Sequence, residues 1–251
     1  MRRIFLSLMF VPLMGFAIPE EGLDPLNSPN WQYIRKDFFA SAPIQFDSRV
    51  VVIAPPMAED SLNVPISVHV EEGLQVRRIL IFAELNPIVR VLEMEPLRAK
   101  PYLSFRMKIQ QSTPVRAAVL DSEGTWHVGG MWVNASGGGC TAPSSGSAQP
   151  DWQKHLGEVR SREWSEADGI TRLRVRIRHP MDTGLVSGIP AFYIQDLDLA
   201  DETGSVYLHL KTFEPLSENP VLGFDIPNRI SRTFRLIGKD NNGNRIDKVL
   251  Q

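Results

Sequence analysis

One thiol, five imidazoles and a row of arginines are the residues in this chain whose types could do chemistry. Cys140 is the sole cysteine and follows Gly137, Gly138 and Gly139, in a run with no charged side chain before Asp151. A catalytic thiol needs a cation, a helix N-terminus or a paired histidine to lower its pKa. The local sequence supplies none of these. An unassisted thiol, with a pKa near 8.5, is only about a few per cent thiolate at neutral pH. That suits a handle activated by another protein's active site better than a nucleophile working alone. The glycines allow many backbone conformations, positive φ included. Extended, the stretch from Ser136 to Cys140 would carry the thiol roughly 13–16 Å, at about 3.3 Å per residue. The expectation is a thiol carried on a flexible arm. An inert buried cysteine is the contrary reading, and the Gly, Thr, Ala, Pro and Ser neighbours give no apolar element to bury it.

The histidines (His69, His127, His155, His179, His209) show no HxxxH or HxH spacing, so no metal site is expected. His127 is nearest in sequence to Cys140, but the intervening glycines argue against a fixed Cys–His pair. No GxSxG, phosphate-loop or dinucleotide fingerprint occurs, so no catalytic residue and no cofactor is assigned. Arg172, Arg174, Arg176 and Arg178 alternate with Leu173, Val175 and Ile177, the pattern of a half-buried strand with a cationic outer face. Arg174 and Arg176 are candidate contacts for an anion or an acidic partner; a solvated strand face is the plainer reading. The net charge of −2 excludes a general nucleic-acid binder.

The elements that must position these groups are mostly strands. Arg2 and Arg3, an apolar run from Ile4 to Phe16, and small residues at Gly15 and Ala17 read as an export signal over residues 1–17. The apolar run is too short to span a bilayer. Export by the ordinary or the twin-arginine route stays open. It implies an exported chain in an oxidising compartment, where a left-over cysteine points to intermolecular chemistry or a reactive thiol. Ser28 followed by Pro29 predicts the start of a short helix carrying Trp31, Ile34, Phe38 and Phe39. Short strands follow at 49–55, 64–70, 76–84, 88–95, 102–110, 115–121 and 126–135, the last two joined by a hairpin at Ser122-Glu123-Gly124. That spacing describes a β-sandwich. Ala, Pro, Ser and Gly dominate 141–150, a linker composition. Residues 152–165 read as weakly helical. Strands resume at 170–180, 189–200, 205–217, 221–227, 232–240 and 246–250, a second sandwich of about six strands.

The strand that leads into Gly-Gly-Cys resembles the sulfur-carrier subunit SoxY. "RVRIRHPMDTG", "IPAFYIQDLDL", "FEPLSENPVLGFDI" and "KDNNG" resemble its partner SoxZ, in order across nearly the whole second half. Together the resemblance covers about residues 30–250 and points to fused SoxYZ-like carriers, some of which accompany quinoprotein dehydrogenases. It implies an all-β chain of two immunoglobulin-like sandwiches packed against each other. The expected divisions are a SoxY-like domain over 28–136, a cysteine-bearing arm and linker over 137–151, and a SoxZ-like domain over 152–251. By the same resemblance Cys140 covalently holds a sulfur species. Partner periplasmic redox enzymes, of the c-type cytochrome or quinoprotein type, do the chemistry, and this chain needs no cofactor. In SoxY the motif closes the chain, whereas here Thr141 and Ala142 follow. The carrier logic of thiosulfate oxidation therefore carries over, but its cargo does not follow. Two other readings stand beside the carrier: a non-catalytic assembly module for a periplasmic quinoprotein dehydrogenase, and an enzyme with Cys140 as nucleophile.

Overall fold

The computed structural model describes residues 23–145, 151–166, 169–227 and 233–250. The export segment falls outside them, as do residues 146–150 of the linker. The chain is all-β, with one short α-helix among the described residues, α1 (Trp31–Phe39). The first half holds β1 (Ile44–Phe46), β2 (Val50–Ile53), β3 (Met57–Ala58), β4 (Val64–Val70), β5 (Val76–Ala83), β6 (Arg90–Glu95), β7 (Tyr102–Met107), β8 (Thr113–Asp121) and β9 (Trp126–Ala135). The second holds β10 (Val159–Ser165), β11 (Ile170–Ile177), β12 (Ile194–Asp201), β13 (Val206–Thr212), β14 (Val221–Pro227), β15 (Phe234–Asp240) and β16 (Arg245–Leu250).

Each half is a two-layered sandwich, and the halves join edge to edge so that both sheets run through the whole chain. The larger sheet has the order β1-β9-β8-β5-β6-β13-β12-β15-β16, with β3 beside β9, and the smaller is β10-β11-β14-β7-β4-β2. The joints are β6 on β13, with Met94 opposite Leu210, and β7 on β14, with Leu103 opposite Phe224. Ile81, Leu92, Phe105, Val175, Leu210 and Phe224 accordingly belong to one buried cluster. Edge-to-edge joining pairs backbone groups at strands that would otherwise be exposed edges.

Alternation explains most strands. In β11, Leu173, Val175 and Ile177 are buried while Arg174 and Arg176 face solvent. β5 instead reads as a continuous apolar run, because both its faces are covered. Ile79 and Ile81 face the inter-sheet core, whereas Leu80 and Phe82 lie under α1 with Trp31, Ile34 and Phe39. Ser28 does not cap α1. Asn30 takes that position without a side-chain bond, and Ser28 Oγ donates to Glu84 at 2.5 Å.

The helical reading of 152–165 is corrected. Only Trp152–His155 forms a 3-10 turn; Gly157 then takes φ +72°, and β10 pairs with β11 over its whole length. Weak helical propensity gives way because β11 would otherwise present an unpaired edge.

Candidate functional site

Past β9 the chain does not extend into solvent. Gly137 and Gly138 take φ +102° and +85°, which turns the arm back on the segment that follows β7. Gly138 N–H donates to the Gln110 carbonyl and Gly139 N–H to that of Ile109, both at 3.1 Å. Ile109 N–H in turn reaches the Ser61 carbonyl at 2.8 Å. A Cβ on Gly139 would lie 2.1 Å from the Ser61 oxygen and 2.6 Å from the Ile109 oxygen. The three glycines thus serve docking: two supply the left-handed turn and the third lets two backbones touch. The extended conformation expected of Gly137–Gly139 is not the one seen here: the arm is docked.

Cys140 is fully buried. Its N–H donates to Gln110 Oε1 at 3.1 Å, and its Sγ sits 3.7 Å from the Lys108 carbonyl. The cover comes from the other half of the chain. Thr183 Oγ1 donates to the Cys140 carbonyl at 2.7 Å. Asp182 Oδ1 accepts from Ser144 N–H at 3.2 Å, and Glu218 Oε2 accepts from Ser145 N–H at 2.7 Å. The turn His179-Pro180-Met181-Asp182-Thr183-Gly184, part of the stretch that resembles SoxZ, is therefore a clamp over the thiol.

Lys108 completes the site. It is 3% exposed, its ammonium donates to the Met181 carbonyl, and burial pushes its pKa down while Asp182, Cys140 and Glu218 pull it up. Met181 takes φ +52°, uncommon for a residue with a side chain, and its N–H donates to His179 Nδ1 at 3.1 Å. His179 is itself buried and its pKa is pushed down to about 4 by desolvation; Asp240 Oδ2, 3.5 Å from its Nε2, opposes that shift.

Burial drives the Cys140 thiol up to about 11, and the Lys108 charge offsets only part of this. At pH 7 such a thiol is roughly one part in ten thousand thiolate, too little for attack from the docked position. His127 is no base for it. It lies at the opposite end of β9, held by Asp47 at 2.7 Å and Asp121 at 2.9 Å. Arg174 and Arg176 are exposed on the outer face of the smaller sheet, not beside the sulfur. Among the described residues no His/Cys/Asp/Glu group could hold a metal ion, and no helix is long and apolar enough to cross a membrane. Lys108, Gln110, Thr183 and Glu218 went unread in the sequence. Thr183 and Glu218 lie inside the stretches that resemble SoxZ, whereas Lys108 and Gln110 end the mixed run 102–110, which also carries Ser104 and Arg106, and gave no signal of their own.

Comparison with known proteins bears on this geometry. The family model for sulfur oxidation protein SoxY matches residues 35–140 and so ends on Cys140. That for sulphur oxidation protein SoxZ matches 159–251, beginning on the first residue of β10. The chain is a fused SoxYZ-like protein. Its clamp is thus a contact between its SoxZ part and the cysteine of its SoxY part. Among solved structures, the sulfur carrier protein SoxY from Chlorobium limicola f thiosulfatophilum is 25% identical, covering 43% of this chain and 96% of its own, with a TM-score of 0.38. A superoxide reductase (neelaredoxin) from Ignicoccus hospitalis is 18% identical, covering 35% of this chain and 80% of its own, with a TM-score of 0.30. Among curated proteins no significant match is found.

Proposed function

We propose that this SoxYZ-like chain is a periplasmic carrier that holds a sulfur species covalently on Cys140 and presents it to partner redox enzymes. The observation that carries this reading is the coincidence of the last residue of the SoxY match with the sole cysteine, at the end of a three-glycine arm. Joining a reduced sulfur anion to Sγ through an S–S bond releases the thiol proton and two electrons. The electrons pass to a partner oxidant, of the c-type cytochrome or quinoprotein class.

The docked arm adds a resting state to the carrier. Docked, the thiol is protonated and shielded from stray oxidants. Lifted out, it regains the ordinary thiol pKa and can be loaded in a partner's cleft. The bonds that must break are few: the arm's two backbone bonds, the Gln110 amide, the Thr183 hydroxyl and the Asp182 and Glu218 carboxylates. A neutral bond of this kind is worth about 1 kcal/mol net and one to a carboxylate about 1.5–3 kcal/mol, and a partner's binding would have to offset their sum to open the arm.

Burial of the thiol is the specific observation that favours the second reading, an assembly module for a quinoprotein dehydrogenase in which Cys140 only packs. The intact mass of the protein from its native host, before and after reduction, separates the two. A reductant-sensitive added mass on the Cys140 peptide supports the carrier and names the cargo. An unmodified thiol in cells expressing the redox partners favours the module. The same spectrum tests export, through a mature N-terminus at Ile18.

A further inference from the structure

The outer face of the smaller sheet carries an arrangement that its own strand pairing does not explain. In the β10–β11 ladder Arg160 stands directly opposite Arg176, and Arg162 opposite Arg174. Directly opposed side chains have Cβ atoms about 5 Å apart, and like charges there destabilise the sheet. This sheet makes that unfavourable pairing twice, in adjacent rows. Arg106 of β7 adds a fifth guanidinium to the same groove, whose volume is about 580 Å³.

All five side chains are exposed, and none makes a direct ion pair among the described residues, although Glu158 lies near enough to feel the charge of Arg160. The contrast with their neighbour is direct. Arg172, one step along β11, is taken up by Asp225 at 2.7 Å and by Glu166 at 3.3 Å. Arg174 is steadied instead by the Trp164 ring, 5.1 Å from its guanidinium carbon. The positive charge is also local, since the chain as a whole carries −2.

We propose that this groove is the docking site for an acidic face of a partner protein, seated beside the loop that holds Cys140. Its extent favours a protein surface over one small oxyanion. Successive outward positions are about 7 Å apart along a strand, so the guanidinium groups spread over several anion diameters in an open groove. Its location favours a partner that acts on the arm. The one carboxylate in the lining is Glu218, the group that holds Ser145 N–H at 2.7 Å and Ser145 Oγ at 3.0 Å. A protein bound in the groove therefore lies against a tether of the docked arm. Only this last step, what the partner does there, rests on the carrier reading; the docking itself does not.

The test is binding of a fluorescent ten-residue polyglutamate peptide to the full chain, followed by anisotropy at low and moderate ionic strength. The variant is the diagonal pair Arg160→Glu with Arg174→Glu. It turns each like-charge opposition into an opposite-charge one, so melting should hold or rise while the groove loses its field. Arg77→Glu with Lys248→Glu, both exposed elsewhere, makes the same change in net charge. We expect at least a tenfold loss of affinity in the diagonal variant, less than twofold in the control, and loss of wild-type binding with added sodium chloride. Equal losses in both variants would overturn the proposal. Displacement of the peptide by sodium sulfate, but not by sodium chloride at matched ionic strength, would also overturn it and assign a small-oxyanion site. Repeating the titration on Cys140→Ser keeps this result separate from the fate of the carrier reading, because docking should not change.

Discussion

Thr183 Oγ1 donates to the Cys140 carbonyl at 2.7 Å, so the residue bearing the thiol is hydrogen-bonded to a loop of the SoxZ part. Both groups are buried, which makes the bond costly to leave half made. The contact ties the reactivity of one half to the integrity of the other.

Thr183→Val keeps the shape and removes the donor, leaving the Cys140 carbonyl unpaired when docked. The cost is about 1–2 kcal/mol of docking stability, so labelling of Cys140 by a disulfide reagent should accelerate roughly five- to thirty-fold. An unchanged rate, with the fold intact, would mean that the clamp does not control access.

Two glycine substitutions separate conformation from contact. Gly138→Ala meets no atom within 4 Å but sits at φ +85°, for a cost of about 1–2 kcal/mol. Gly139→Ala puts a methyl 2.1 Å from the Ser61 oxygen, which no small shift relieves. The second variant should expose the thiol to nearly the reactivity of the unfolded chain, while its melting temperature falls only modestly because the core is elsewhere. If the two variants label at the same rate, the close approach is not what holds the arm.

Titration should act on the site from both sides. The docked form favours a protonated Cys140 thiol, since burial raises its pKa to about 11, well above that of a free thiol. That stabilisation is complete below about pH 9 and is lost as pH rises through 11. Labelling should therefore keep climbing tenfold per pH unit past pH 9, where a free thiol levels off; a plateau at 9 would show an arm that is already open.

His179 works in the opposite sense. Its pKa is depressed to about 4, so its neutral form stabilises the clamp above about pH 6.5, an effect lost as pH falls to 4. Asp240 and Asp182 facing the ring reduce this effect, and Lys108 adds to it. His179→Gln should flatten the fall in melting temperature over that window relative to the wild type. Identical slopes would remove His179 from the account.

Arg116 is the buried hub of the SoxY part. It pairs with Asp24 Oδ1 at 2.7 Å and with Glu84, beneath the Trp31 ring at 4.6 Å. Arg116→Met strands the Glu84 carboxylate in the core, for a loss of about 3–5 kcal/mol. Adding Glu84→Gln should restore much of it. Denaturant midpoints of the two variants measure both effects, and absence of rescue would count against a charge origin.

Every strand but β1, β3 and β10, the β8–β9 hairpin, the buried row Leu173-Val175-Ile177 and the singularity of Cys140 could be read from residue order alone. Local periodicity decides which side chains turn inward, and composition decides where a chain has no core to make. Three things could not be read. That β6 meets β13 and β7 meets β14 depends on which free edges find each other in space. That residues 159–165 form a strand depends on the edge of β11 waiting for them. That three glycines make a docked hook rather than a swinging tether depends on the carbonyls of Ser61, Ile109 and Gln110, together with the hydroxyl of Thr183, arriving from distant segments. A glycine run specifies only the conformations it permits; the partners that select one of them are set by the tertiary fold.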